Sequence, residues 1–121
     1  MKKYIMKKNL STISSIVEVS KKIQDGRDID KILMHAMTEM GELTEEVLIA
    51  KGLSYKDPGK DGVVGEAVDL LICVVDLLHL SLKQLGVNLD VEAFDDFINA
   101  VVKNKLNKWE EKSELIQGKN R

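Results

Sequence analysis

Residues 65–80 read GEAVDLLICVVDLLHL, and this stretch decides the fold. Its leucine, isoleucine and valine side chains would lie on nearly every side of a helix rather than along one stripe. In a chain that folds in water, such a helix is central and buried, and other helices pack around it. We expect it to run from about Val63 to Gln84 and to end at Gly86.

Three further segments carry apolar residues at the three-to-four-residue spacing of a helix. Turn and capping residues limit them to about residues 11–24, 28–51 and 90–109. The expected N-caps are Ser11 or Asn9, Asp28 or Asp30, and Asp90. Residues 53–62, LSYKDPGKDG, are the clearest loop because they contain the only proline and several turn residues. The last eight residues, ELIQGKNR, are expected to fray.

Length and composition fit one helical domain. The chain has 121 residues, which is within the usual size of a single domain. One proline and few alternating β-branched runs favour helices over strands. We therefore predict an all-α, antiparallel four-helix bundle that forms one domain over residues 1–121, with its core at about 11–110.

Charge and cysteine content exclude several classes of protein. The formal net charge of −2 lacks the basic excess of a general nucleic-acid binder. The lone Cys73 excludes a disulfide framework, and two histidines form no Cys/His zinc pattern. The basic start has no apolar core of a signal peptide, and Asp69 and Asp76 interrupt the longest apolar stretch. We expect a soluble cytoplasmic protein with no membrane span.

Acidic residues form a line on each of the two central helices. Residues three or four apart share a helix face. The residues that share a face in this way are His35, Glu39, Glu42 and Glu46 on the second helix, and Glu66, Asp69, Cys73 and Asp76 on the third. Glu45 lies off the first line and is expected to be solvated. The second line matters more because the rest of its helix is almost entirely apolar.

A charge on a buried helix must be paired or bound to a metal. The third helix has no basic residue before Lys83. If the two lines face each other, like charges about 5 Å apart repel by roughly 3 kcal/mol at an effective dielectric near 20. A divalent cation removes that repulsion, and oxygen-only ligands suit Mg²⁺, with Mn²⁺ as a substitute. The predicted metal ligands are Glu39, Glu42, Glu66 and Asp69.

A di-iron centre and a solvated surface are the alternatives to a magnesium site. A di-iron carboxylate bundle needs Glu-x-x-His on two helices, and neither His35 nor His79 follows a glutamate at that spacing. Glu-x-x-Glu is common on solvated helix faces, so each line alone also fits an ordinary surface. The two lines on consecutive helices together favour the metal site.

The chain carries EMGE at 39–42 and, after a loop, EAVD at 66–69. This arrangement resembles the E-x-x-E…E-x-x-D signature of the MazG-like all-α nucleoside triphosphate pyrophosphohydrolases. This superfamily includes dimeric dUTPases, dCTP pyrophosphatases and phosphoribosyl-ATP pyrophosphohydrolases. The similarity covers about residues 28–110. Many relatives have two glutamates where this chain has Thr38 and Glu39.

The resemblance implies magnesium held by the four predicted ligands and a nucleoside triphosphate cleaved between its α and β phosphates. Glu42 is the expected general base, with Glu46 as a second candidate. Phosphorus would be attacked in line by a water molecule that the metal activates. A phosphoribosyl-ATP pyrophosphohydrolase, or a non-enzymatic helical dimerisation or regulatory module, would fit the same residues.

Several further side chains are candidates for substrate contact. Asn104 and Lys108 resemble the family's late phosphate-binding segment, but they also fit solvated residues near a helix end. His35 is placed to touch a base or ribose, or to act as a partly buried structural residue. Lys56, in the loop, is a further candidate for substrate contact.

The remaining expectations concern packing. The methionines of the second helix are interpreted as core: Met34, Met37 and Met40. Asp76 is interpreted as a polar contact at a subunit interface. The third helix has more apolar surface than three neighbours need, and the relatives form dimers or tetramers, so a homodimer or homotetramer is expected.

Overall fold

The computed structural model describes residues 3–23 and 26–119. Over these residues the chain forms four α-helices and no strand, as the sequence predicts. The helices are α1 (Thr12–Lys22), α2 (Ile29–Ala50), α3 (Gly62–Gln84) and α4 (Val91–Lys119). Gln24, the predicted end of the first helix, lies outside the described residues. None of these helices combines the length and the apolar character needed to cross a bilayer.

Three predicted capping residues begin their helices. Ser11, Asp28 and Asp90 each accept a hydrogen bond from the backbone N–H three residues later, at 3.0, 2.9 and 2.7 Å. Each bond satisfies one of the backbone donors that a helix start leaves without a partner. Gly52 and Gly86 follow α2 and α3 with φ of 73° and 82°, a left-handed conformation that favours glycine at helix ends.

The chain divides into two compact units, residues 1–88 and 89–121. In the first unit α3 packs along α2 and also against α1. The helices α2 and α3 are antiparallel, because Glu46 near the end of α2 contacts Gly59 just before α3, whereas the earlier Glu42 lies beside Glu66. The buried apolar residues of this unit are Val17, Ile32, Ala36, Cys73, Val75 and Leu80.

A polar network also joins α1 to α3. Ser20 Oγ donates to Asp76 Oδ1 at 2.6 Å and lies 2.8 Å from Nδ1 of the buried His79. Arg27 donates to the same Asp76 oxygen and pairs with its charge. The Asp76 carboxylate therefore has partners within one chain, and its role at a subunit interface stays a prediction.

Several residues predicted to be core are exposed. Met34 and Met37 are each 68% exposed and Met40 is 52% exposed, so their interpretation as core is wrong for the single chain. For the single chain, the expectation that α3 is buried on nearly every side is also wrong, because α1 and α2 cover only part of its circumference. Its exposed apolar residues are Val63, Val64, Val68, Leu71, Ile72, Val74 and Leu78.

The second unit consists mainly of α4. The predicted fraying of residues 114–121 is wrong as far as Lys119, the last residue that the structure describes, because α4 extends to that residue. Glutamate, lysine and leucine are strong helix formers, which accounts for the extra turns. Every residue from 101 to 118 is exposed, including the proposed phosphate ligands Asn104 and Lys108.

Candidate metal centre

The antiparallel packing of α2 and α3 brings carboxylates from both helices together. Glu39, Glu42 and Glu66 each place one carboxylate oxygen within 4.8 Å of the others. Glu39 and Glu42 are one turn apart on α2, so they present neighbouring carboxylates to α3. Three of the four predicted metal ligands therefore converge in one group.

The fourth predicted ligand, Asp69, belongs to an adjoining group. Asp61, Glu66 and Asp69 also place one oxygen each within 4.8 Å of one another, so Glu66 belongs to both groups. Sequence reasoning missed Asp61 because an aspartate before a helix is usually a capping residue. Here its side chain makes no capping hydrogen bond. Helical spacing gave no signal for it, because Asp61 lies before α3 and five residues from Glu66, outside the three-to-four-residue spacing of a shared face.

Two oxygens in the first group are buried with no hydrogen-bond partner among the residues that the structure describes. Glu39 is only 9% exposed; its Oε1 lies 3.3 Å from Nε2 of His35, but its Oε2 has no hydrogen-bond partner in the described part of the chain. The same is true of Oε2 of Glu66. A buried carboxylate oxygen without a partner is costly, and native proteins rarely keep one unless something binds there.

Burial and like charges change the acidity of these groups. Burial raises the pKa of Glu66 to about 7, helped by a hydrogen bond with Glu42 and by the nearby charges. Burial, followed by the charges of Glu42 and Asp69, also raises the pKa of Glu39, while His35 opposes the shift. Without a cation, protonation is the remaining way to reduce the repulsion.

Within the described part of the chain, no lysine or arginine neutralises the two groups. In residues 3–23 and 26–119, none forms an ion pair with any of the five carboxylates. The donors are oxygens only, which hard divalent cations such as Mg²⁺ and Mn²⁺ prefer. The residues present therefore fit a divalent cation, by their donor chemistry and by the two oxygens that lack partners.

The other candidate residues lie in different surroundings. Glu46 is 9% exposed and accepts a hydrogen bond from the Gly59 N–H at 2.7 Å. Lys56 pairs with Glu45 at 2.7 Å, so Glu45 is not simply solvated. The His35 side chain is 63% exposed, more than the partly buried position expected of a structural histidine.

Comparison of the chain with family models, with curated proteins and with solved structures gives no match. The resemblance to MazG-like enzymes therefore depends on the two acidic motifs and their spacing. The role of the carboxylates has to follow from their geometry.

Proposed function

We propose that the chain is a magnesium-dependent nucleoside triphosphate pyrophosphohydrolase of the MazG-like type. It would cleave ribo- or deoxyribonucleoside triphosphates between the α and β phosphates, giving a monophosphate and pyrophosphate. The observation that carries this proposal is the group Glu39, Glu42 and Glu66, each of which places one carboxylate oxygen within 4.8 Å of the others. In the described part of the chain, the Oε2 atoms of Glu39 and Glu66 are also buried without a hydrogen-bond partner.

In this proposal Glu39, Glu42 and Glu66 hold magnesium, and Asp69 contributes from the adjoining group. When bound, the ion supplies positive charge to the phosphate oxygens and makes water a stronger acid. Manganese has similar ligand preferences and would substitute.

The protein's own groups would orient the substrate and accept a proton. Glu42 is exposed, whereas Glu39 beside it is buried and paired with His35, so Glu42 is the carboxylate that water reaches. We assign Glu42 as the general base that takes the proton of the attacking water. Asn104, Lys108 and Lys56 remain the predicted phosphate contacts, and His35 a predicted substrate contact.

We also propose that the enzyme is a cytoplasmic homodimer or homotetramer. The exposed leucine and valine side chains of α3 support the oligomer, because large apolar patches on a soluble protein mark interaction sites. Nothing in this part of the proposal depends on which nucleotide is the substrate.

The test is a pyrophosphate-release assay over ribo- and deoxyribonucleoside triphosphates, with phosphoribosyl-ATP included and Mg²⁺ present. Glu39→Gln and Asp69→Asn should each reduce kcat/KM by at least about a hundredfold, because ligands and charge are lost together. Glu92→Gln, on the exposed first turn of α4, is the control and should retain parental activity. Cleavage of phosphoribosyl-ATP alone would favour the alternative enzyme, and no cleavage together with no Mg²⁺ binding would favour an interaction module.

A further inference from the structure

The loop between α2 and α3 is held to α2 by a buried acidic side chain. Residues 51–61 contain Gly52, Pro58 and Gly59 and form no helix or strand. A loop of this length is costly to order, because each residue that is fixed loses conformational entropy. Its position must therefore come from specific contacts.

Glu46 makes such a contact. Its side chain is almost completely buried, and Oε1 accepts a hydrogen bond of 2.7 Å from the Gly59 backbone N–H. A carboxylate acceptor makes this bond stronger than one between neutral groups. Glu46 shares a face of α2 with Glu39 and Glu42, but it belongs to neither group of converging carboxylates.

Gly59 is suited to this contact because it has no side chain. A Cβ atom at position 59 would collide with Oε1 of Glu46. The φ of Gly59 is not positive, so alanine could adopt the same backbone conformation. An alanine here would therefore disturb the contact with Glu46 without straining the backbone.

The contact lies two residues before Asp61. Asp61 makes no capping hydrogen bond, and one of its oxygens lies within 4.8 Å of oxygens of Glu66 and Asp69. Fixing Gly59 restricts where the short connection to Asp61 can go, since consecutive Cα atoms are about 3.8 Å apart.

We infer that Glu46 is a positioning residue, which holds Gly59 and thereby places Asp61 beside Glu66 and Asp69 for cation binding. This inference rests on the proposed function, because it assigns a role within the same cation site. It replaces the sequence-based suggestion that Glu46 is a second candidate general base, since Oε1 is already bonded to the loop.

The experiment is calorimetric titration of Mg²⁺ and Mn²⁺ into the full chain and its variants. Glu46→Ala removes the acceptor and should raise the cation Kd by about tenfold, as expected for losing a hydrogen bond to a charged group. Glu46→Gln retains an oxygen acceptor but loses the charge that strengthens the bond, so its cation Kd should lie between those of the parent and of Glu46→Ala. Gly59→Ala should resemble Glu46→Ala, because it disturbs the same contact from the loop side.

Hydrogen exchange at the Gly59 amide gives a second measurement that does not depend on cations. Exchange should accelerate in Glu46→Ala and accelerate less in Glu46→Gln, which keeps a weaker acceptor. In a chain that already carries Asp61→Asn, adding Glu46→Ala should weaken cation binding only slightly more. The effects of two substitutions are not additive when one residue acts through the other. Circular dichroism of each variant checks that α2 and α3 are intact. If Glu46→Ala unfolds, the cation Kd values of Glu46→Gln and Gly59→Ala still test the inference.

The outcomes separate this inference from the proposed function. A parent chain that binds neither cation would overturn the proposed function, and the cation role of Glu46 with it. Parental binding that is unchanged in Glu46→Ala would overturn the inference alone. Equal damage by Glu46→Gln and Glu46→Ala would also overturn it, because the charge rather than the hydrogen bond would then be essential.

Discussion

Nε2 of His35 lies 3.3 Å from Oε1 of Glu39, one turn further along α2. The other oxygen of that buried carboxylate has no hydrogen-bond partner within the described ranges. Helix α2 thus supplies a partner for one oxygen of Glu39 and none for the other within the described ranges. This imbalance, together with the packing around it, determines how the protein should respond to substitution, pH and magnesium.

Glu39→Gln should stabilise the metal-free protein and destroy its response to magnesium. The neutral amide removes one charge from a group that repels itself, so the melting temperature in EDTA should rise by a few degrees. In the parent, Mg²⁺ at about 100 times its Kd should add about 2.7 kcal/mol of stability. Thermal melts with and without Mg²⁺ measure both effects, and a parent-like response in the variant would contradict the assignment.

The metal-free protein should lose stability as the pH rises from about 4.5 to 7. The pKa of Glu66 is raised from its ordinary 4.5 to about 7 in the folded state, so the folded protein binds more protons than the unfolded chain across this interval. Stability falls as the pH rises wherever the folded state binds more protons than the unfolded state. Magnesium affinity should rise over the same range, since protons and the cation compete for the carboxylate.

Glu66→Gln provides the comparison, because glutamine does not titrate. Urea denaturation in EDTA at pH 5 and pH 7.5 should show a smaller difference for the variant than for the parent. An equal difference in both proteins would assign the pH dependence to other groups.

Asp76→Ala should lower the free energy of unfolding by about 2 kcal/mol, because a partly buried arginine and a buried hydroxyl lose their shared acceptor. Asp76→Asn keeps an oxygen for Ser20 and should cost less. Asp96→Ala, on an exposed part of α4, should change stability by less than about 0.5 kcal/mol. Urea unfolding measures all three, and an unchanged Asp76→Ala protein would show that the network contributes nothing.

A charge on the exposed face of α3 should dissociate the proposed oligomer. Leu71, Val74 and Leu78 are each about 40% exposed and recur at helical spacing. Leu71→Glu or Val74→Glu should reduce the mass found by light scattering to that of one chain. Leu85→Glu, at an exposed leucine just after α3, is the control. A parent protein that is already monomeric would contradict the proposed oligomer.

Sequence patterns were sufficient for the local structure. The caps Ser11, Asp28 and Asp90 and the glycines after α2 and α3 were predictable, because a cap depends on residues within one turn. The acidic line within each helix was predictable for the same reason, whereas local spacing did not show that the two lines face each other. Burial was predicted less well: Met34 and Met37 were interpreted as core but are exposed, because an apolar residue on a helix does not show how many neighbours one chain supplies.

The sequence by itself determined four helices and placed Glu39 with Glu42 and Glu66 with Asp69, because hydrogen bonds and side-chain spacing within a helix involve only near neighbours. The tertiary structure alone decided which carboxylates meet across α2 and α3. It brought Asp61 beside Glu66 and bonded Glu46 to Gly59. It also buried the Oε2 atoms of Glu39 and Glu66 where residues 3–23 and 26–119 offer them no hydrogen-bond partner. The reason is physical: the register of two packed helices and the path of the loop between them depend on contacts between residues distant in sequence, which no local pattern encodes.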